Sequence, residues 1–557
     1  MQKPDDDFVN ISSHLQRMAE IQPYKRAVVY PVSRDKNGRI AYAHLTFLQL
    51  DRESDLIAHG LNKAGINQGT RTVLMVKPGP DFFALAFALF KTGAVPVVVD
   101  PGMGIKRMLS CLKSTRPEAF IGIPLAHVLR TLSPGFFKTV KVWITVGRRL
   151  FWGGYALDKI RTEAKGSYHQ AMTKRNDTAA ILFTTGSTGP AKGAVYTHGN
   201  FDAQAGRIKE HFRITSDEID LPTFPLFALF DPAIGMTAVI PDMDPTKPAI
   251  VNPEKIIEAV INQGVTNMFA SPALLNRVGR YGNSRGIVLP SLKRVVSAGA
   301  PVSLSNIKCF SAMLTESAEI HTPYGATEAV PVISIGSREI LSETGGLSEQ
   351  GYGICVGTPL NGISAQIIKI TDDPINEWSD DIIAPDGEAG EITVKGDLVT
   401  RQYFENPVAD ALSKIKDGTG FRHRMGDLGR KDGKGRIWFL GRKSHRVITP
   451  NGTLFTIPCE AIFNNHPEVF RSALVGIGKK PDQIPVICIE PEHEVNTDKG
   501  KLEKELLAIA WEHELTKDIK TILFHKSFPV DIRHNSKILR GKLTTWAEKQ
   551  IKKCDGK

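Results

Sequence analysis

ILFTTGSTGPAKGAV, residues 181–195, sets an unbroken run of hydroxyl and glycine residues between two apolar strand candidates. The upstream candidate, TAAILF, ends at Phe183, and the downstream one begins at Ala194-Val195-Tyr196. Small residues let backbone N–H groups turn inward around an anion. Gly186 and Gly189 supply that freedom, Thr184, Thr185, Ser187 and Thr188 add hydroxyl donors, and Lys192 adds a mobile cation. The guest that suits this set is a triphosphate. The order of residues is not that of the Walker loop, because Lys192 precedes Gly193 and no serine or threonine follows it directly. A flexible surface linker is the plainer reading, but linkers rarely run straight from one apolar strand into another.

Working outward, residues 72–146 alternate between strand and helix patterns. TVLMVK (72–77), VPVVVD (95–100), EAFIGI (118–123) and VKVWITVG (140–147) are apolar strand candidates, and DFFALAFALFKTG (81–93) reads as a helix closed by Gly93. Continuous apolar strands separated by helices predict a parallel, doubly wound sheet. Asp100-Pro101-Gly102 then marks a turn past a strand's carboxyl end, where such sheets tend to hold ligands. Nearer the start, residues 27–32 read as a strand and residues 46–61 as an amphipathic helix. Residues 265–280 read strand, turn, helix, and 294–301, RVVSAGAP, read strand then glycine turn. Between 352 and 437, short β-type runs with glycine turns predict a small β-rich subdomain.

The chain has 557 residues, more than one ordinary core, so at least two domains are expected. With 41% hydrophobic and 23% charged residues it reads as globular. The six cysteines, at 111, 309, 355, 459, 488 and 554, form no CxxC pair, which suggests neither a disulfide framework nor a zinc site. An acidic opening, MQKPDDDF, is unlike a secretory signal, and the longest apolar run, near 82–90, is too short to span a bilayer. A cytoplasmic setting is expected, with peripheral membrane contact left open. The net charge of +11 admits nucleic acid, an anionic surface or anionic substrates as partners. Lys and Arg read as spread out with a mild excess toward the C-terminus, and no nucleic-acid-binding signature is visible, so no nucleic-acid partner is expected.

TTGSTGPAKG (184–193) resembles the phosphate loop of the adenylate-forming superfamily, which includes acyl-CoA synthetases, peptide-synthetase adenylation domains and luciferases. HTPYGATE (321–328) is a second match. The resemblance implies an adenine face at Tyr324, with Gly325 and Ala326 beside it, a phosphate contact at Thr327, and a Mg²⁺ ligand at Glu328 together with Thr184. SAGAP, carrying Ser297, Gly299, Ala300 and Pro301, is similar to the segment that packs beside the adenine. MGDL (425–428) places Asp427 where the family grips both ribose hydroxyls, with Met425 in place of the usual threonine. Gly441-Arg442 falls at the family hinge, implying an N-terminal adenylation domain over 1–441 and a small mobile C-terminal domain over 442–557. In RHNSKILR (533–540), Lys537 takes the place of the family's essential lysine. The implied fold is α/β, with a large N-terminal domain of doubly wound sheets and a mobile α+β C-terminal domain.

The same resemblance implies ATP as co-substrate, Mg²⁺, and an acyl-adenylate product. Several positions depart from the CoA-using members. Ala228 stands where histidine is common, within an aromatic stretch whose Phe227 and Phe230 are candidates for the acyl pocket. Ser444 and His445 replace the usual hinge pair, and PNGTLF (450–455) replaces the glycine loop that lines the pantetheine tunnel. FPLFALFDPAIG (224–235), GRKSHRV (441–447) and RHNSKILR together resemble the members that make β-lactones in bacterial olefin biosynthesis. That implies a long-chain β-hydroxy acid whose own hydroxyl closes the ring, with His198 and His445 as candidate bases and other enzymes of such a pathway as partners. A long-chain fatty acid joined to CoA or a carrier protein is the alternative, and a non-catalytic nucleotide-binding protein is the alternative from another class.

Overall fold

A computed structural model describes residues 8–161, 166–183, 191–492, 498–530 and 538–555. The strand that leads into the opening stretch, Thr178–Phe183, lies in a seven-stranded sheet with Val95–Val99 parallel on one side and Gly193–Thr197 antiparallel on the other. Beyond Val95–Val99 follow Arg71–Met75, Ala119–Gly122, Val142–Thr145 and Tyr155–Ala156, all parallel. Alternate side chains leave opposite faces of these strands. Val73, Val97 and Phe120 pack against helices Ile105–Ser114 and Pro124–Leu132. Leu74, Ala119 and Ile121 pack against helices Phe47–Lys63 and Pro80–Lys91. Helix Pro80–Lys91 is apolar all round and buried at every position from Phe82 onward, as a helix covered on all sides must be. Its last residue, Lys91, stays buried because Asp51 and Asp55 each approach its ammonium to 2.6 Å.

A second seven-stranded sheet runs Glu319–His321, Arg294–Ser297, Asn267–Ala270, Ile219–Pro222, Thr237–Val239, Arg26–Arg34 and Ile40–Thr46. It is parallel except for the hairpin at its end. The doubly wound sheets expected from the strand patterns are therefore two. A third sheet of eight strands is antiparallel and contains Ser364–Ile368, Gly390–Lys395, Gly420–Lys431 and Ile437–Arg442. It extends beyond the β-rich stretch foreseen at 352–437, because Tyr324–Ala326 and Ala329–Ser334 join it as a hairpin. Glycine is needed inside that hairpin: a Cβ at Gly325 would sit 2.5 Å from the Ala329 carbonyl oxygen.

After Arg442 the chain forms a two-stranded ribbon and a three-stranded sheet of Val469–Ile477, Ile484–Pro491 and Thr521–Phe524. Helices Thr456–Asn464, Lys499–Glu512 and Arg540–Asp555 accompany them. The two apolar cores of this region are built entirely from residues at or beyond Val447. Among the described residues no helix is long and apolar enough to cross a membrane.

Candidate active site

A cavity of about 3400 Å³ opens where the three large sheets meet. Lys192, Ser297, Gly299, Ala300, Pro301, Tyr324, Gly325, Ala326, Thr327, Glu328, Asp427 and Arg442 all line it, as do Phe227 and Phe230. Motifs separated by more than two hundred residues in sequence thus share one wall system. Thr184, Thr185, Gly186, Ser187, Thr188, Gly189 and Lys537 lie outside the described residues.

Asp427 and Arg442 are brought together by register. The strands Gly420–Lys431 and Ile437–Arg442 are antiparallel, and Asp427 is the cross-strand partner of Arg442. The Arg442 Nε lies 3.1 Å from Asp427 Oδ1, and Nη1 donates to the Met425 carbonyl at 3.2 Å. The other carboxylate oxygen, Oδ2, accepts from the Tyr324 hydroxyl at 2.7 Å. Burial and then the Asp427 charge push the Tyr324 phenol well above its usual range, so it remains a donor. Gly441 is required here by packing as well as by its positive φ of 121°: a Cβ would meet Thr456 Oγ1 at 2.2 Å.

Lys192 is positioned from outside its own motif. The strand after the opening stretch pairs with residues 402–404, through Val195 N–H to Gln402 O at 3.1 Å and Phe404 N–H to Gly193 O at 2.7 Å. The Lys192 ammonium consequently lies 5.1 Å from the centre of the Tyr403 ring. The Tyr403 hydroxyl donates to Glu328 Oε1 at 2.6 Å. Glu328, 9% exposed, is held from behind as well, where the Thr400 N–H donates to its backbone carbonyl at 2.8 Å. Thr400 in turn receives a hydrogen bond on its own carbonyl from Lys414, which is buried. Burial lowers the Lys414 ammonium to about 8, with Glu328 and Asp410 acting against that shift. Tyr403 and Lys414 were not among the residues singled out in sequence. Each lies 75 or more residues from Glu328, and an isolated lysine carries no pattern.

Ser297, on another wall of the cavity, is 1% exposed, and among the described residues its hydroxyl has no hydrogen-bond partner. With Gly299, Ala300 and Pro301 it forms a wall of small side chains. The fit to a nucleotide rests on these features: a wall of small residues with an unsatisfied hydroxyl, and the buried carboxylate of Asp427. Glu328 can serve a divalent cation as one hard oxygen ligand. Among the described residues no three His, Cys, Asp or Glu side chains cluster to hold a metal by themselves.

In the aromatic stretch, Phe227 stacks on Phe269 with ring centres 4.4 Å apart, and Phe230 faces Phe201 at 6.4 Å. Ala228 departs from expectation. It is 1% exposed and packs into the core beneath the first sheet, outside the cavity lining, because helix Pro225–Ala228 turns that position inward. His198 is also out of reach. It is fully buried outside the lining, with Nδ1 accepting the Ile11 N–H at 3.2 Å. His445 does line the cavity, but burial, and then Arg540 and Arg442, lower its imidazole to about 3. A base of that strength removes protons poorly near neutral pH.

The sequence pattern of the family described as AMP-binding enzyme matches residues 15–404. The olefin beta-lactone synthetase of Xanthomonas campestris pv. campestris is 45% identical over 549 residues, 97% of this chain and 98% of that one. The olefin beta-lactone synthetase of Stenotrophomonas maltophilia is 45% identical over 552 residues, 98% of this chain and 99% of that one. Among solved structures, the anthranilate CoA ligase AuaEII in complex with anthranoyl-AMP superposes with a TM-score of 0.80 at 17% identity, covering 98% of both chains.

Proposed function

The chain belongs to the AMP-binding enzyme family, and from that premise we propose that it activates a long-chain β-hydroxy carboxylic acid with ATP and then closes it to a β-lactone. The observation that carries this reading is the end-to-end likeness to two olefin beta-lactone synthetases, which spans every motif of the cavity. In the first step the substrate carboxylate attacks the α-phosphorus of ATP, forming an acyl adenylate and releasing pyrophosphate. In the second, the β-hydroxyl oxygen attacks the adenylated carbonyl, a proton is lost, and AMP leaves. The ring contains that β-oxygen, so no external acceptor is consumed.

Each residue's part follows from its surroundings. Asp427 accepts from the ribose hydroxyls, with Tyr324 and Arg442 fixing its carboxylate. The small wall at Ser297, Gly299, Ala300 and Pro301 admits the flat base. Lys192 neutralises phosphate charge, and Lys537 does so at the α-phosphate and the substrate carboxylate. Glu328, fixed by Tyr403, and Thr184 would hold Mg²⁺, which would supply charge neutralisation to the phosphates when bound. Phe227 and Phe230 border the alkyl chain. Residues 442–557 act as a mobile domain delivering Lys537, a reading supported by the separate cores beyond Val447. The second step draws on proximity, because the attacking oxygen already sits in the same molecule as the activated carbonyl.

The adenylation step is tested by exchange of labelled pyrophosphate into ATP. Exchange that requires a long-chain β-hydroxy acid is expected. Absence of exchange with every carboxylic acid supplied would overturn the reading in favour of a nucleotide-binding protein without this chemistry.

A further inference from the structure

The segment 101–157 carries nine Lys and Arg residues against Glu118 alone, a local charge of +8 in a chain whose total is +11. The segment is thus more basic than the chain as a whole. The same segment presents an unusual amount of apolar surface. Helix Pro124–Leu132 packs inward through Ala126, yet Leu125 is 73% exposed and Leu132 78% exposed, with Val128 between them on the same helical face. Ile105, at the start of the neighbouring helix Ile105–Ser114, is exposed too, and it lines the cavity together with Leu125, Val128 and Leu132.

Beside this face lies a loop that the helix holds in place. Trp152 stacks on His127 of the helix with ring centres 5.4 Å apart, and Arg130 donates to the Trp152 carbonyl at 2.6 Å. Fixing Trp152 leaves its neighbour Phe151 85% exposed, directly after Arg148, Arg149 and Leu150. Lys106 and Arg107 likewise follow Ile105 and are exposed. Exposed apolar side chains next to cations, at the rim of a cavity with an apolar interior, are a combination that water alone does not favour.

We propose that this face docks on an anionic lipid bilayer, with the cavity rim turned toward the membrane so that a long-chain acid enters directly from lipid. The choice of occupant rests on charge. Two copies of the face meeting across a symmetric interface would oppose like charges, whereas an anionic membrane complements them while its acyl layer covers Leu132 and Phe151. The route for the acid rests on the substrate class proposed above; the docking itself does not.

The test uses the full-length protein without ATP or acid, so its outcome is independent of the adenylation assay. Sedimentation is measured with vesicles of phosphatidylcholine alone and of phosphatidylcholine mixed with phosphatidylglycerol, at low and high salt. Binding to the mixed vesicles, weakened by salt, is expected. Phe151→Ser and the paired change Arg148→Glu with Arg149→Glu should each reduce partitioning about tenfold, given the contribution of one aromatic side chain or of a reversed cation pair at an interface. Unchanged unfolding temperatures would establish that the variants fold. Absence of wild-type binding to either vesicle, or binding that both variants leave unchanged, would overturn the proposal. Light scattering that finds a dimer abolished by Phe151→Ser would assign the face to a second copy instead.

Discussion

Asp427 receives two fixed partners, Tyr324 and Arg442, before any ligand arrives, so its carboxylate is already oriented. Asp427→Ala should raise the apparent KM for ATP by a factor corresponding to about 2–4 kcal/mol, the loss of two hydrogen bonds to a charged acceptor. Steady-state kinetics measure this, and equal use of ATP and 2′,3′-dideoxy-ATP by the wild type would contradict the role. Lys414 permits a pH prediction. Its ammonium, lowered to about 8 by burial, faces Glu328, Asp410, Lys192 and the buried His423. Adenylation that depends on this charge should fall as pH rises through about 8, where the proton leaves. Lys414→Met should lower kcat about tenfold near neutrality and remove that alkaline limb. A pH–rate profile identical in the two proteins would show that Lys414 serves folding only. Asp427 and Glu328 could be found in sequence because each sits inside a motif. Tyr403 and Lys414 could not, since only the pairing of residues 402–404 with the strand after Lys192 brings Tyr403 to the site, and Lys414 reaches it through its bond to Thr400.

At the scale of elements, strands and helices of the first sheet were legible because their patterns are pure: apolar runs for doubly covered strands, and an all-apolar helix at Pro80–Lys91. The hairpin of Tyr324–Ala326 and Ala329–Ser334 was not, because its first strand has only three residues, too few to show a period. The placement of Ala228 and His198 also depends on which way one helical turn faces, which composition does not reveal. One element carries a buried load that sequence reading passed over. Asp231, in helix Phe230–Ile234, packs against Asp220 of strand Ile219–Pro222, and both are nearly sealed from water. Burial raises the Asp220 carboxyl from 3.8 to about 7, and burial with the Asp220 charge raises Asp231 well above its ordinary range. Because the folded state keeps these protons longer than the unfolded chain, the linked stability is present at low pH and lost as pH rises through about 7. Asp231→Asn should flatten that decline and raise stability at pH 8 by roughly 1–2 kcal/mol, a shift of a few degrees in Tm. Thermal unfolding at pH 6 and pH 8 checks this, and an equal pH dependence in both proteins would count against a shared-proton pair.

Across the whole molecule, the departures from CoA-using relatives suit a reaction whose acceptor is already inside the substrate. The hinge pair Ser444-His445 and the loop PNGTLF were legible as departures, while their consequence for geometry depends on Lys537, which lies outside the described residues. Lys537→Ala should reduce pyrophosphate release by at least about a hundredfold while leaving ATP binding nearly unchanged, because the charge acts on the transition state. Rapid-quench kinetics with parallel ATP titration separate the two effects, and near wild-type release would place the essential cation elsewhere. The most direct measurement of the whole claim follows oxygen. Enzyme, ATP, Mg²⁺ and a long-chain β-hydroxy acid labelled with ¹⁸O in its carboxylate are incubated with and without CoA, and products are read by mass spectrometry and NMR. The expected result is a four-membered lactone formed without CoA, one label in its carbonyl and one label transferred to AMP. A thioester that forms only with CoA and no lactone in its absence, or a lactone that keeps both labels, would contradict it.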